Sequence, residues 1–318
     1  MANTYVQSIK FHKDLDQKAV IESKSAFLLD DSMKAEFQGN GEVRIFDEVT
    51  DGLGSFAEST GYPTGAVTLT STTYTLDMDR ATKFKLDKTK VAHTGIDNYA
   101  PGIMGRFIKN HVAPEIDAYM FSKAYSIASA QTGHVVSGAN AAAFLNKSFS
   151  ILQGLINGCQ DIVGDGEELV ALCDSNFYAD LMATTELTRR LNIGDFKKGE
   201  VSTKVKKLDE VGIIKVPSAR MKTQYDFNDG STKFGFAAKS SAENIGCIVL
   251  PKKGTLRLVK ELEKPKVFTP DTDDDGDNWR ILYHLIFGGI CKKSCRENIF
   301  AYKYGNTTQT TPSNPSGT

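Results

Sequence analysis

The chain has 318 residues, 40% hydrophobic and 24% charged, which are ordinary values for a folded protein of about two domains with a sizeable core. A formal net charge of −1 argues against a protein that binds nucleic acid through a basic surface. No apolar run approaches the roughly 18 residues of a membrane-spanning helix, so we expect no membrane partner.

The first 38 residues are predicted to form an N-terminal arm, with one short helix near residues 17–24, because they lack a sustained hydrophobic period. No apolar stretch follows a basic cluster, so no signal peptide is expected. The last residues, 306–318, are polar and are predicted to be disordered. The cysteines are odd in number and are predicted to be free thiols in a reducing cytoplasm: Cys159, Cys173, Cys247, Cys291 and Cys295.

Residues 41–46 (GEVRIF) are predicted to form a strand with Val43 and Ile45 on one face. The stretch 47–79 then holds Gly52, Gly54, Gly61, Pro63 and Gly65, which exclude a helix. Folded as a hairpin, this stretch would reach roughly 50 Å. A globule of this size has a radius of gyration of only about 20 Å, so the hairpin would extend beyond its own domain.

Such a hairpin would leave apolar side chains without a core, and an isolated two-stranded hairpin is marginal in water. We therefore expect it to lie on another subunit; a long loop folded over its own domain is the alternative. The stretch 47–79 contains six acidic residues and no Lys or Arg, whereas residues 80–90 contain five basic residues and one acid. The predicted inter-subunit contacts are Asp47, Glu48, Asp51, Leu53, Phe56, Glu58, Tyr62 and Leu69.

Residues 98–130 are predicted to form one long helix of about 50 Å, kinked or restarted at Pro114, which suits the first residue of a helical segment. Its apolar residues recur mostly at spacings of three or four and mark one face: Ile103, Phe107, Ile116, Met120, Ala124 and Ile127. Its polar residues are predicted to lie mostly off that face: Arg106, Lys109, Asn110, Glu115, Asp117 and Lys123. A spine for other elements is one interpretation, and a long surface helix of an ordinary enzyme is the other.

Between this helix and residue 244, predicted helices alternate with predicted strands. A helix is predicted over 141–158, capped by Asn140, with Leu145, Phe149, Leu152 and Ile156 on one face. A buried strand follows at 167–173, then a short helix capped by Asp174 or Ser175. Residues 189–222 hold ten basic and four acidic residues and end in a strand stopped by Pro217. Residues 225–236 are predicted to form a hairpin turning at Asp229 and Gly230.

Strands dominate from residue 245 onward. IGCIVL, GTLRLVKEL, NWRILYHLIFGGI and IFAYKY are each predicted to be a strand. In the third, alternate residues share a face: Trp279, Ile281, Tyr283, Leu285 and Phe287. The long helix is the natural layer to cover these strands.

Motifs for cofactors, metals and catalysis are incomplete. Gly52, Gly54 and Ala57 match a dinucleotide-binding spacing, but the following glycines and proline forbid the helix it needs. Residues 271–277 begin like a calcium loop but lack its twelfth-position glutamate, which favours an acidic surface loop, with weak divalent-cation binding left open. Cys291 and Cys295 lack a second ligand pair, and His284 is predicted to be a packed histidine. We therefore predict no cofactor, metal site or catalytic residue.

Several stretches, in their order and spacing, resemble the major capsid proteins of tailed bacteriophages with the Hong Kong 97-type fold. Residues 43–87 (VRIFDEVTDGLGSF to KFKLD) resemble the family's extended loop and return strand, and VAPEIDAYMFSKAYS resembles part of its spine helix. VGIIKVPSARM, VLPKKGTLRLVKELE and NWRILYHLIFGGI resemble its closing strands. The resemblance covers about residues 45–305.

This resemblance implies an α+β fold with an N-terminal arm, an extended β-hairpin loop, a long spine helix packed on a β-sheet (the peripheral domain) and an inserted α/β axial domain. The implied domains are the arm at 1–38, the extended loop and flanking strands at 39–93, the peripheral domain at 94–135 and 245–305, and the axial domain at 136–244.

The resemblance also implies a structural subunit, not an enzyme, that self-assembles into pentamers and hexamers of an icosahedral shell around double-stranded phage DNA. The hairpin would lie across a neighbour, with its acidic residues facing basic groups in 80–90 or 189–222. The implied location is the virion, after assembly in the bacterial host cytoplasm, with a portal and a separate scaffolding protein as partners.

Some members of this family crosslink a loop lysine to a neighbour's asparagine, but 47–79 has no lysine, so no crosslink from the loop tip is expected. Two other functions stay open. One is an encapsulin-like nanocompartment shell of the same fold, and the other is a soluble enzyme with a ligand site in its second domain.

Overall fold

The computed structural model describes residues 23–29, 35–39, 41–56, 58, 61–87, 99–164, 166–184, 191–198, 201–208, 211–263, 265–268 and 278–305. Most of the predicted arm, the 269–277 loop and the tail 306–318 lie outside them. The chain divides into two compact units, unit 1 (Met1–Ala19, Leu28–Lys109 and Leu256–Cys295) and unit 2 (Val20–Phe27, Asn110–Thr255 and Arg296–Thr318). The predicted division into arm, extended loop, peripheral and axial domains stays a prediction.

The strands are β1 Ala35–Gly39, β2 Glu42–Thr50, β3 Val67–Thr75, β4 Met78–Asp87, β5 Val135–Gly138, β6 Leu169–Asp174, β7 Leu191–Lys198, β8 Val201–Leu208, β9 Val211–Val216, β10 Tyr225–Phe227, β11 Phe236–Ala238, β12 Asn244–Pro251, β13 Leu256–Glu263, β14 Lys266–Phe268, β15 Asn278–Cys291 and β16 Phe300–Tyr304. The α-helices are α1 Tyr99–Phe107, α2 Ala113–Ser129, α3 Ser148–Val163 and α4 Ser175–Ala183.

Unit 1 contains two antiparallel sheets. Strands β1, β2 and β3 form the first in that order, and in the second β15 pairs with β4 on one side and with β13 and β14 on the other. The predicted alternation along β15 is confirmed from 281 to 287, where Ile281, Tyr283, Leu285 and Phe287 are buried and the residues between them are partly exposed. Trp279, at the start of the predicted face, is only partly buried. The Phe107 ring of α1 packs edge-on against Tyr283, with 5.7 Å between centroids.

Unit 2 is built on a seven-stranded mixed sheet in the order β5, β16, β12, β6, β9, β8, β7. Strand β12 is buried along nearly its whole length because it is covered on both faces. Its Cys247 and Val249 join the apolar cluster under α3 and α4, while α2 also packs against β12 and β16. The prediction that the long helix covers the late strands is therefore confirmed for β12 and β16.

The long helix is present but interrupted. Between α1 and α2 the chain makes a π-helical segment, Ile108–Val112, and Pro114 lies in the first turn of α2 as predicted. Pro114 has no N–H to donate to the Asn110 carbonyl, and its ring would clash with that oxygen in a regular helix. The wider π segment accommodates both restrictions.

The predicted helix over 141–158 is wrong at its start. Residues Ala141–Phe144 form a 3₁₀ turn, Leu145 is exposed, and α3 begins at Ser148. Asn146 has a φ of 59°, which breaks the helix. Asp180 of α4 holds this turn by accepting hydrogen bonds from the Asn146 N–H (3.2 Å) and the Ser148 hydroxyl (2.7 Å). Asn140 precedes the 3₁₀ turn and makes no side-chain cap.

Candidate inter-subunit interface

The predicted hairpin is formed by β2 and β3, which pair in register from Glu42 with Thr75 to Thr50 with Val67. Residues 51–66 connect the two strands beyond this ladder. Asp51 closes the connection, because its N–H donates to the Ala66 carbonyl (3.1 Å) and its carboxylate accepts from the Ala66 N–H (2.8 Å). The loop at the tip of the hairpin therefore begins and ends at two hydrogen bonds between Asp51 and Ala66, directly beyond the paired strands.

Among the residues that the structure describes, the buried apolar side chains of the hairpin lie at its base. Val43, Ile45 and Leu76 pack with Val259 of β13 and Ile290 of β15. The Leu76 N–H also donates to the carbonyl of Gly41, at 2.7 Å. The prediction that Val43 and Ile45 share one face of β2 is therefore confirmed, and this face is buried.

Toward the tip, the apolar side chains are exposed. Leu53 is fully exposed, Tyr62 is 90% exposed and Leu69 is 67% exposed. Phe56 is 60% exposed and touches only the ring of Tyr62 among the ring contacts of the described residues, at 5.3 Å between centroids. Val67 and Phe46 belong to the same exposed set but were not among the predicted contacts. Val67 could have been predicted as a contact, because it lies two residues before Leu69 in β3 and therefore on the same face of the strand.

The predicted acidic contacts fall into two kinds. Asp47 accepts a hydrogen bond from the Ser294 hydroxyl (3.1 Å), and Asp51 closes the loop, so both have structural roles inside the chain. Glu48 and Glu58 are exposed. The two glutamates are therefore the residues that can test an electrostatic role without disturbing the hairpin itself.

Basic groups suited to these acids occur in both predicted regions. Lys83 and Lys85 of β4 are exposed, and the antiparallel pair β7–β8 carries five lysines along its backbone. Arg220, in contrast, already pairs with Asp117 inside unit 2, with 2.9 Å between Nη1 and Oδ2. One of the positive charges in residues 189–222, that of Arg220, is therefore neutralised by Asp117 within the chain.

The prediction that Asp117 lies off the buried face of the long helix is wrong. Its carboxylate is completely buried and accepts from the Ser23 hydroxyl (2.8 Å), the Lys24 N–H (3.0 Å), the Ser25 N–H (2.9 Å) and hydroxyl (2.7 Å), and Arg220. This carboxylate therefore fixes residues 23–25, which lie within the predicted N-terminal arm, onto the N-terminal part of α2. Glu115 is buried as well.

His284 is not packed but lies on the part-exposed face of β15, with Nε2 2.7 Å from the Asp79 carboxylate. Cys291 is buried and Cys295 partly exposed, and all five cysteines are free. Within the part of the chain that the structure describes, no three His, Cys, Asp or Glu side chains cluster as metal ligands. No helix among the described residues is long and apolar enough to cross a membrane.

Comparisons by sequence give no match, either to a protein-family model or to a curated protein. Comparison of structures, in contrast, gives matches to solved capsid structures. A chain of the mature capsid of bacteriophage PhiM1 matches with a TM-score of 0.56 at 14% identity, covering 85% of this chain and 84% of that chain. The capsid of cyanophage P-SCSP1u gives 0.56 at 13% identity, with 85% of each chain covered.

A virus-like particle from Pyrococcus furiosus matches with a TM-score of 0.50 at 10% identity, covering 92% of this chain and 97% of that chain. At identities this low, the likeness concerns the fold alone. The prediction from the sequence is confirmed at that level: the chain has the α+β Hong Kong 97-type fold of phage capsid structures.

Proposed function

We propose that this protein is a major capsid protein, a structural subunit without catalytic activity that self-assembles into the pentamers and hexamers of an icosahedral shell enclosing double-stranded phage DNA. The observation that carries the proposal is the hairpin. It presents exposed apolar side chains from Leu53 to Leu69, on a fold that this chain shares with phage capsids. A neighbouring copy would cover that surface.

The proposal extends to partners and place. A scaffolding protein and a portal would assist assembly, the packaged DNA would be held without sequence-specific contacts, and the protein would reside in the virion after assembly in the bacterial host cytoplasm. The hairpin would serve as the extended loop, α2 and the strands beside it as the peripheral domain, and residues 136–244 as the axial domain.

The test is electron microscopy with size-exclusion chromatography of the purified protein, alone and with a co-expressed scaffolding protein. Closed shells tens of nanometres across are expected. The triple variant Leu53→Ser, Phe56→Ser, Tyr62→Ser should yield only small oligomers, because it removes the apolar tip without touching the core at the hairpin base. Ile162→Ser with Phe234→Ser removes exposed apolar side chains elsewhere and should still form shells.

A small oligomer from the unaltered protein under every condition would refute the shell. Shells from the triple variant would refute the role of the tip.

The charges of the hairpin give a second, finer test. Interfaces with complementary charge lose association rate when one charge is reversed. Glu48→Lys with Glu58→Lys should therefore slow assembly and weaken its dependence on salt. Reversing Asp47 or Asp51 would also break the bonds to Ser294 and within the loop, so these variants would not isolate the charge effect. An unchanged rate and salt response in the double variant would remove the electrostatic part of the proposal.

An encapsulin-like nanocompartment is the second candidate, favoured by the match to the Pyrococcus furiosus virus-like particle. The two candidates differ in content. Particles isolated from the natural source should contain nuclease-protected DNA if the protein is a phage capsid. Particles that contain a defined cargo protein and no DNA would favour the nanocompartment.

A further inference from the structure

Cys173 and Cys247 lie directly opposite each other on two neighbouring strands inside the seven-stranded sheet. Strand β6 pairs antiparallel with β12, and the register places Cys173 against Cys247. Both residues are fully buried and belong to the apolar cluster under α3 and α4. Directly opposed residues of an antiparallel pair project their side chains from the same face of the sheet. The two thiols therefore share one apolar site.

The hydrogen bonds of this ladder show which kind of pair the two cysteines form. The Lys252 N–H donates to the Glu168 carbonyl at 2.8 Å, so these two residues, directly beyond the paired strands, form a hydrogen-bonded pair. Hydrogen-bonded and non-hydrogen-bonded pairs alternate along an antiparallel ladder. Cys247 lies an odd number of residues from Lys252 and therefore forms a non-hydrogen-bonded pair with Cys173. Pro251 agrees with this assignment, because it has the same phase as Cys247 and no N–H to donate.

This arrangement suits a disulfide. Non-hydrogen-bonded pairs bring their Cα atoms to about 4.5 Å, which lies within the range of about 4.4–6.8 Å that disulfides span. The two Sγ atoms are 3.6 Å apart. Because a disulfide bond is about 2.05 Å long, each sulfur has to move by only about 0.8 Å. Rotation of the two side chains supplies this movement without a shift of the strands.

The same apolar cluster contains a third cysteine, and the structure distinguishes it from the other two. Cys159 of α3 is also fully buried, but its thiol donates to the Asn298 carbonyl at 3.3 Å. Within this cluster, the geometry therefore favours a bond between Cys173 and Cys247 over a bond from either of them to Cys159.

We propose that Cys173 and Cys247 form a cross-strand disulfide when the chain folds in an oxidising medium, and that the folded core then preserves the oxidation state in which it closed. The structure shows the dithiol form. The bond would join β6 and β12 covalently and enclose all residues between them. This inference concerns chemistry within one subunit and does not depend on the proposed function.

The oxidant is a small disulfide such as oxidised glutathione, which acts while the core is open. One protein thiolate attacks a glutathione sulfur, so that a mixed disulfide forms, the glutathione S–S bond breaks and one glutathione leaves as a thiolate. The second protein thiolate attacks the protein sulfur of the mixed disulfide, and the second glutathione leaves. The two protein thiols lose two electrons and two protons, and one glutathione disulfide becomes two glutathione thiols.

Burial explains why the closed core preserves either state. Thiol–disulfide exchange requires a thiolate and access to it. Both sulfurs are in a fully buried site, and a close-packed core has no room for a tripeptide. Burial, together with the hydrogen bond to the Cys173 thiol, also raises the pKa of Cys247 well above its usual value. Exchange in the native protein therefore has to wait until the strands separate.

Refolding of the full chain tests the bond. Denatured, reduced protein is refolded in an oxidising or a reducing glutathione buffer, the remaining thiols are alkylated, and a non-reducing protease digest is analysed by mass spectrometry. We expect a linked peptide pair containing Cys173 and Cys247 after oxidising refolding and none after reducing refolding. The oxidised protein should keep its native circular dichroism. Its melting temperature should rise by about 10 °C, because the bond joins residues 74 positions apart.

Single variants assign the effect. Cys247→Ala should lose both the linked peptide and the rise in melting temperature. Cys159→Ala is the matched control, because it removes an equally buried thiol of the same cluster, and it should keep both. The unaltered protein decides the question even where a variant fails to fold. Folded protein from the oxidising buffer that lacks the linked peptide, or that links Cys159 instead, would overturn the proposal, as would a chain that folds only in the reducing buffer.

The preservation of the oxidation state has its own measurement. Native reduced protein is transferred to the oxidising buffer, and native oxidised protein to the reducing buffer. The linked peptide should appear or disappear at least about 100-fold more slowly than in protein unfolded by guanidinium, because exchange requires opening of the core. Equal rates in native and unfolded protein would refute the preservation, whatever the result of refolding.

Discussion

The substitution Asp117→Asn should destabilise unit 2 strongly. The carboxylate accepts five hydrogen bonds, two on Oδ2 from the Lys24 N–H and Arg220, and three on Oδ1 from Ser23 and Ser25. An asparagine side chain keeps one acceptor oxygen but turns an NH₂ donor toward two other donors. The substitution therefore removes the negative charge and leaves buried donors facing each other.

The magnitude follows from the geometry. Breaking a buried ion pair by removing one partner costs about 3–5 kcal/mol, and Asp117 is fully buried while the Arg220 side chain is only 17% exposed. A domain is stable by about 5–15 kcal/mol in total, so this one substitution should remove about a fifth of the stability or more. The loss should be concentrated where the 23–25 segment meets α2.

Guanidinium unfolding of unassembled protein measures the global loss, and hydrogen exchange measures the local one. We expect the Lys24 and Ser25 amides to exchange much faster in Asp117→Asn, since both donate to the missing carboxylate. Asp161→Asn, at an exposed position of α3, is the matched control and should change stability by no more than about 0.5 kcal/mol. If Asp117→Asn behaved like the control in both measurements, the carboxylate would not be the anchor.

Three further outcomes are expected. Gly288→Ala should cost about 1–3 kcal/mol in thermal unfolding, because a Cβ would lie 2.9 Å from the Leu76 side chain and 3.1 Å from its backbone Cα; an unchanged melting temperature would contradict this packing. Burial raises the pKa of Cys247 well above its usual value, so an alkylating reagent should modify the partly exposed Cys295 in native protein and Cys247 only after unfolding. Asp51→Ala should accelerate hydrogen exchange of the Ala66 amide, because this amide donates a hydrogen bond to the Asp51 carboxylate. The amides of the β2–β3 ladder should stay protected.

Periodicity predicted much of the fold because it reports on burial. The alternation in β15 and the uninterrupted apolar run of β12 each identified a strand. In the structure, β15 is buried mainly on one face, whereas β12 is buried on both faces. The glycines and proline of 47–79 excluded a helix, and the hairpin is present. These signals are local, so the sequence carries them without knowledge of the partner element.

Two features could not be predicted because they depend on partners distant in the chain. Asp117 is buried because Ser25 and Arg220 satisfy it, from 92 and 103 residues away. A lone acid next to an apolar run gives no sign of such partners. Likewise, Leu145 fitted a helical stripe, yet the contact of Asp180 with the preceding turn starts α3 three residues later.

The tip of the hairpin leads to a prediction about assembly itself. Four of its exposed side chains are Leu53, Phe56, Val67 and Leu69, and burying them would contribute at most about 6–12 kcal/mol in total. Association costs about 4–15 kcal/mol, so one hairpin contact is marginal alone. A shell in which every subunit gives one hairpin and receives another would nevertheless be stable, because its contacts act together.

Assembly should therefore begin sharply at a threshold concentration. Leu53→Ala should raise this threshold about tenfold or more, since about 1.4 kcal/mol corresponds to a factor of ten. Light scattering against protein concentration measures the threshold, with Ile162→Ala as an exposed control outside the hairpin. Equal thresholds for both variants would mean that the tip is not buried in the shell, and the exposed apolar surface would then need another explanation.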